Sequence, residues 1–99
     1  MNYITVVRAT LKGTTKEAQM AHDAVVEKLS AMTRPMGAIG HKPLLNPQNP
    51  KEFLAIDTWN NLEGLQKFMG DPKVMESFGQ LFEGRPDITV WAESDWASF

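Results

Sequence analysis

Apolar residues along this chain follow two spacings, one typical of strands and one typical of helices. Residues 2–10 are rich in β-branched side chains, and Ile4 and Val6 alternate there with Tyr3 and Thr5. A two-residue period in such residues predicts a strand. Three further segments are predicted to be strands, at residues 36–42, 53–59 and 87–96.

A long helix is predicted between the first two strands. Thr14, with Glu17 three residues later, has the form of a capping box, which satisfies the free amides of a helix start. The helix is expected to run to about residue 32, because Arg34 precedes Pro35 and is pushed towards extended geometry. The helix has one histidine, His22, on its apolar face, and we interpret it as a hydrogen-bonded packing residue. That face carries Ala18, Ala21, His22, Val25, Leu29 and Met32.

Two short helices are predicted between the third and fourth strands. Asn60, with a glutamate three residues later, is a second capping-box candidate, and Gly70 ends the helix that it opens. Asp71 and Pro72 begin the next helix, because Asp is a good cap and Pro suits the first helical position. A Gly-Arg-Pro sequence ends it.

Residues 43–50 contain three prolines and two asparagines and are predicted to be a loop. The strands on either side are expected to pair as an antiparallel hairpin that turns near Pro47. This register sets His41 opposite Phe53 and on the order of 13 Å from Asp57. A His41–Asp57 pair within one chain is therefore not expected.

The order of strands and helices indicates one α+β domain over residues 1–99. It matches a ferredoxin-like βαββαβ arrangement, a split βαβ sandwich with a four-stranded antiparallel sheet and its helices on one face. Seven apolar residues are expected to pack under the helices: Ile4, Val6, Leu54, Ile56, Ile88, Val90 and Ala92.

The opposite parity of the strands combines aromatic and polar side chains. It carries Tyr3, Thr5, Val7, His41, Phe53, Asp57, Trp59, Trp91 and Glu93. Such a face is too aromatic for the open surface of a monomer and too polar for an ordinary core. We expect the sheet of a second copy to cover it, so that a homodimer closes an α+β barrel around a partly polar cavity.

Composition excludes several classes of function. Ten Lys+Arg against twelve Asp+Glu give a formal net charge of −2 with no basic cluster, which disfavours nucleic acid as a partner. The chain has no cysteine and only two separated histidines, and no carboxylate spacing selects a metal site. No apolar run approaches the roughly 20 residues of a membrane span, and no signal-peptide pattern follows Met1. We expect a cytoplasmic protein without metal or membrane partners.

Three features together resemble a known group of proteins. They are the strand at residues 53–59 that ends in Trp59, the short amphipathic helix after it, and the Asp71-Pro72 helix start. These resemble the antibiotic biosynthesis monooxygenase-like (ABM) domains of the dimeric α+β barrel superfamily, over nearly the whole chain. The resemblance implies a homodimer. It also implies one of two activities, because several members oxidise polycyclic phenols with molecular oxygen and no metal or flavin, whereas others degrade haem.

Two segments distinguish these two activities, the helix after Trp59 and the strand that ends in Trp59. In haem-degrading members a histidine lies on the helix after the tryptophan, but residues 62–69 contain none. This difference argues against haem ligation of that kind. In the cofactor-free members an asparagine on the tryptophan strand helps to position substrate or oxygen, and this chain has Ala55 and Asp57 there.

The first functional hypothesis is a cofactor-independent monooxygenase. It would act on a planar phenolic or quinone-type molecule in a cavity between the helices and the sheet of the homodimer. The candidate catalytic residues are His41, Trp59 and Asp57, with His41 as a base because an imidazole titrates near neutral pH. The candidate substrate-binding residues are Phe53, Trp91, Tyr3 and Glu93.

The same residues allow other interpretations. Trp59 could be an aromatic plug of the barrel, and His41 an inert histidine at a strand end. Arg8 is read as a rim residue on the helix side that reaches solvent or a carboxylate, and Trp96 as a dimer or helix contact. A non-catalytic dimeric small-molecule-binding or stress-related accessory protein is the alternative function. A third possibility is a filled cavity and a domain that serves assembly alone.

Overall fold

The computed structural model describes residues 1–99 as four strands and three α-helices around one sheet. The strands pair antiparallel in the order β2-β3-β1-β4. This arrangement confirms the predicted α+β ferredoxin-like fold. No helix is both long and apolar enough to cross a membrane. The elements are β1 (Tyr3–Leu11), α1 (Thr15–Thr33), a 3₁₀ turn (Arg34–Met36), β2 (Ala38–Asn46), β3 (Asn49–Trp59), α2 (Leu62–Met69), α3 (Pro72–Leu81) and β4 (Phe82–Ala92).

Side-chain caps begin all three helices. The predicted capping box of α1 is confirmed, because the Glu17 amide donates to Thr14 Oγ1 and the Thr14 amide donates to Glu17 Oε1. Asp71 caps α3 as predicted. The cap of α2 is Asn61 rather than Asn60, because the side chain of Asn61 accepts a hydrogen bond from the Gly64 amide. The backbone amide of Asn60 donates to the Gly37 carbonyl, 2.8 Å away.

The predicted loop over residues 43–50 is wrong, because β2 and β3 extend through most of it and leave a two-residue turn. β2 is an edge strand, a position in a sheet that tolerates proline. Leu45 lies opposite Phe53 but Asn46 lies opposite Asn49, so residues 50–52 form a bulge on β3. This bulge shifts the hairpin register and sets His41 directly opposite Asp57.

The strand faces correct the parity prediction. Thr5, Val7, Phe53, Ala55 and Trp59 are buried under the helices, on the parity that had been assigned to a second copy. The even-numbered apolar residues of β1 and β3 line the opposite, uncovered side, which we call the open face. That face carries Ile4, Val6, Leu44, Leu54, Ile56 and Trp91.

In β4, unlike in β1 and β3, the parity that was predicted to face the helices does face them. Val7 lies opposite Ile88 and Ile4 lies opposite Trp91, so even residues of β4 share a face with odd residues of β1. Ile88 therefore packs against the core on the helix side, as predicted. Val90 and Ala92 share its parity but are exposed, so the prediction that they pack under the helices is wrong. Trp91 and Glu93 lie on the open face, so the prediction that they share a face with His41 is wrong. The strand also runs over 82–92 rather than 87–96.

Candidate active site

A cavity of about 110 Å³ lies between the helices and the sheet of a single chain. Its floor is β1 and β3, and its walls come from α1, β2, α2, α3 and the start of β4. Most of the lining is apolar, whereas His22, His41 and Asp57 are grouped on one side. The cavity therefore pairs an apolar wall with a small cluster of acid–base side chains, an arrangement typical of ligand sites.

The aromatic wall runs around the cavity as a series of neighbouring rings. The Trp59 ring lies 5.3 Å from Phe68, and the Phe53 ring lies 5.5 Å from Phe82. Phe78 connects the two pairs, at 6.3 Å from Phe68 and 5.9 Å from Phe82. Trp59 and Phe53 are 2% and 5% exposed. These distances are typical of tilted aromatic packing, and a flat apolar ligand would extend the same stacking.

His41 and Asp57 form a short hydrogen bond between neighbouring strands. His41 Nδ1 lies 2.5 Å from Asp57 Oδ1, and the other carboxylate oxygen accepts from the Thr5 hydroxyl at 3.3 Å. The three residues are cross-strand partners on β2, β3 and β1, which explains their alignment. Their side chains are partly shielded, His41 being 34% and Asp57 22% exposed. The carboxylate orients the ring and directs Nε2 away from the sheet.

His22 completes the polar side of the cavity from α1. Its Nε2 lies 3.0 Å from His41 Nε2, and its Nδ1 lies 3.0 Å from Asp23 Oδ1. The two imidazole rings stack with centroids 5.2 Å apart, and the His22 ring also lies 5.6 Å from Phe53. The prediction that His22 is a hydrogen-bonded packing residue is thus confirmed, and the ring also lines the cavity. Its place on the apolar stripe of α1 was the signal that it faces the sheet.

The candidate residues fall into two groups in the structure. His41, Asp57, Trp59 and Phe53 all line the cavity. Tyr3 is opposite Trp59 on the helix side of the sheet but does not line it. Glu93 accepts a hydrogen bond from the Asn2 amide, and Trp91 donates to the Thr89 hydroxyl, both on the far side of the sheet.

Arg8 lies outside this cavity. It pairs with Glu52 at 2.9 Å, so the expectation that it reaches a carboxylate is confirmed, although on the open face rather than on the helix side. The hydrogen bond between them raises the pKa of the Arg8 guanidinium and lowers the pKa of the Glu52 carboxyl. Trp96 is 84% exposed and makes no helix contact within the chain.

Solved structures with the same fold include oxygenases. SnoaB from Streptomyces nogalater, a cofactor-independent oxygenase, superposes with a TM-score of 0.67 at 14% identity, over 96% of this chain and 95% of that one. A candidate antibiotic biosynthesis monooxygenase from Nitrosomonas europaea gives 0.70 at 12% identity, over 93% and 89%. Rv0793 from Mycobacterium tuberculosis gives 0.66 at 19% identity, over 99% and 100%.

No family model and no curated protein sequence matches the chain. The likeness is therefore one of fold, and the fold that the resemblance implied is confirmed.

Proposed function

We propose that this protein is a cofactor-independent monooxygenase that acts on a planar phenol or hydroquinone. The observation that carries the proposal is the cavity beneath the helices, where the His41–Asp57 pair faces an aromatic wall. The shared fold with a cofactor-independent oxygenase supports it. The acid–base pair would ionise the substrate, and the apolar wall would hold its ring and exclude water.

The size of the cavity points to a substrate with one aromatic ring. Its volume is about 110 Å³, and an apolar protein cavity of about 150 Å³ is known to bind benzene. A single ring therefore fits with modest side-chain movement, whereas a tricyclic phenol requires the wall to open. Phe68 and Phe78 are the partly exposed members of the wall.

The chemistry requires few protein groups, because an ionised phenol is itself a reductant of oxygen. A hydroquinone loses a hydroxyl proton to the histidine side of the cavity, and its electron-rich ring then reacts with O₂. One oxygen atom enters the ring as a hydroxyquinone, and the other leaves as water with the two remaining hydrogens. The substrate supplies every electron, so the protein contributes proton transfer, orientation and exclusion of water.

The protein is proposed to work as a homodimer that covers the open face. Trp91 is 59% and Leu44 is 38% exposed there, and Ile4, Val6, Leu54 and Ile56 are half-buried beside them. These apolar residues lie together between charged neighbours such as the Arg8–Glu52 pair, and an apolar patch of this kind favours packing against an equal patch. Each copy would then keep its own cavity on the helix side.

Oxygen uptake tests the enzyme proposal directly. The purified protein is supplied with a one-ring hydroquinone or with a tricyclic anthrone, and dissolved O₂ and product are followed together. We expect enzyme-dependent uptake of one O₂ per product, faster with the single ring. His41→Gln should abolish it, whereas Lys28→Gln, at an exposed position of α1 outside the cavity and the open face, should leave it intact.

The alternative function is a module that binds a small molecule without turnover. This alternative is favoured by Ala55, which is 3% exposed and lines the cavity on the strand where cofactor-free relatives use an asparagine. Alanine has no side-chain amide to position a substrate or oxygen. A binder would be stabilised against heat by the hydroquinone with no oxygen uptake. Uptake at the uncatalysed rate together with such stabilisation would replace the enzyme proposal with this one.

A further inference from the structure

The two histidines of the chain are held by carboxylates in a symmetrical manner. His41 Nδ1 faces Asp57 Oδ1 at 2.5 Å, and His22 Nδ1 faces Asp23 Oδ1 at 3.0 Å. The remaining nitrogens, His41 Nε2 and His22 Nε2, face each other at 3.0 Å. Every ring nitrogen of the pair is therefore within hydrogen-bond distance of a partner.

Hydrogen counting constrains this arrangement when both carboxylates are ionised. A nitrogen that faces a carboxylate must carry a hydrogen, so both Nδ1 atoms are protonated. Between the Nε2 atoms, two hydrogens would collide and none would set two lone pairs against each other. A single hydrogen gives an N–H···N bond. The closed pair therefore holds three hydrogens on four nitrogens and one positive charge.

The contacts favour His41 as the ring that carries the extra hydrogen. Asp57 is closer to its ring than Asp23 is to the other ring, and it is 22% exposed against 64% for Asp23. A carboxylate that is closer and better shielded from water favours the imidazolium more strongly. No further titratable side chain lines the cavity, because α1 adds only Ser30 and Thr33 as other polar groups, and β1, α2, α3 and β4 contribute apolar residues. His41 is then the donor and His22 the acceptor.

We propose that His22, rather than His41, accepts the hydroxyl proton of the substrate. Binding requires the two Nε2 atoms, 3.0 Å apart in the closed pair, to separate. The phenol oxygen then takes the place of the direct N–H···N bond, donates its hydrogen to His22 and accepts the hydrogen of His41. The O–H bond breaks, a bond from that hydrogen to His22 Nε2 forms, and two imidazolium rings remain, each beside its own carboxylate. The phenolate is held by both rings. The shared proton does not depend on the proposed function, whereas its role in turnover rests on it.

Nuclear magnetic resonance of the imidazole nitrogens tests the shared proton without any turnover. The chain has only two histidines, so His22→Gln and His41→Gln each leave one ring to be observed. In the ¹⁵N-histidine-labelled wild type we expect three N–H groups over four nitrogens, and two rings whose pH titrations are coupled. In each variant the remaining ring should titrate in one step. Identical single-step curves in wild type and variants would overturn the proposal.

Substrate ionisation separates the roles of the two rings. His22→Gln should lower the kcat for a neutral hydroquinone by about 100-fold, the usual size of a lost acid–base group. A phenol that is already ionised at the assay pH should restore the rate of His22→Gln but not of His41→Gln. The opposite pattern would overturn the assignment. If the wild type consumes no oxygen, the proposed function fails and the spectra alone decide the proton pair.

Discussion

His41 and Asp57 lie directly opposite each other on β2 and β3, and their hydrogen bond is the shortest between side chains in the cavity. The pairing exists because the bulge at residues 50–52 shifts the hairpin register. Thr5, the partner of Asp57 on the other side, completes a row across three strands. The sheet thus fixes the orientation of His41, so that its Nε2 faces His22 on α1 and the cavity.

Removing the charge of Asp57 tests this row. Asp57→Asn keeps the shape of the side chain but no longer stabilises a positive His41 ring, so we expect the kcat/KM of oxygen uptake to fall about 100-fold. Asp87→Asn is a matched control, because Asp87 is exposed and lies opposite Arg8 on the open face. Steady-state oxygen uptake measures both. Equal activity of the two variants would remove Asp57 from the site.

The two tryptophans at positions 59 and 91 allow a paired test of the aromatic wall. Trp59→Phe replaces an indole that lines the cavity with a smaller ring. The lost stacking should raise the KM for the hydroquinone by up to about tenfold. Trp91→Phe changes a 59% exposed ring on the other side of the sheet and should leave the KM unchanged. Ligand quenching of tryptophan fluorescence gives the affinity independently. A larger effect at Trp91 would move the binding site to the open face.

A charge on the open face should separate the proposed dimer. Ile56→Asp places a carboxylate among apolar neighbours, which a monomer exposes to water but a sheet-to-sheet interface would bury without a partner. We expect sedimentation velocity to give a dimer for the wild type and a monomer for Ile56→Asp. Met20→Asp, at a position 67% exposed on α1, is the control and should remain a dimer. A wild-type monomer would contradict the proposal.

The capping box of α1 should make part of the stability depend on pH. Hydrogen bonds from the backbone amide and side chain of Thr14 lower the pKa of Glu17. A lowered carboxyl pKa adds stability above the ordinary value for Glu, and this stability is lost as the pH falls through the folded-state value. Glu17→Gln should therefore be less stable than wild type at pH 7, and the difference should shrink as the pH falls below the ordinary range of Glu, by urea unfolding. Thr14→Ala should lower the free energy of unfolding by about 1 kcal/mol at pH 7. Glu76→Gln is the control, and if it destabilises the protein as much as Glu17→Gln does, the effect is not specific to the cap.

Local signals in the sequence predicted more of this structure than long-range ones. The cap of α1 by Thr14 and the Asp71-Pro72 start depend on residues within one turn, and both are confirmed. The faces of the strands were harder, because β1 is apolar on both parities and hydrophobicity alone does not distinguish Val6 from Val7. The odd offset between β1 and β4 then separated Trp91 from Trp59.

The candidate site shows the same limit. His41, Asp57, Trp59 and Phe53 were grouped because they share a parity within one hairpin, and the structure brings them to one cavity. The direct His41–Asp57 contact depends on the bulge at residues 50–52, and no turn motif in the sequence predicted this bulge. His22 required the position of α1 over β2, a tertiary contact that a helical stripe does not specify.

Two glycines in the helices give opposite predictions for the same substitution. Gly64 is buried in α2, where an added Cβ would overlap the carbonyl oxygen of Met36, so Gly64→Ala must displace the 3₁₀ turn from the helix. Gly79 in α3 is exposed and has open space around it, so Gly79→Ala should raise the free energy of unfolding by up to about 1 kcal/mol through the better helix propensity of alanine. Thermal and urea unfolding of both variants should show a marked loss for the first and a gain for the second. A Gly64→Ala protein as stable as the wild type would mean that α2 does not pack against Met36 as described.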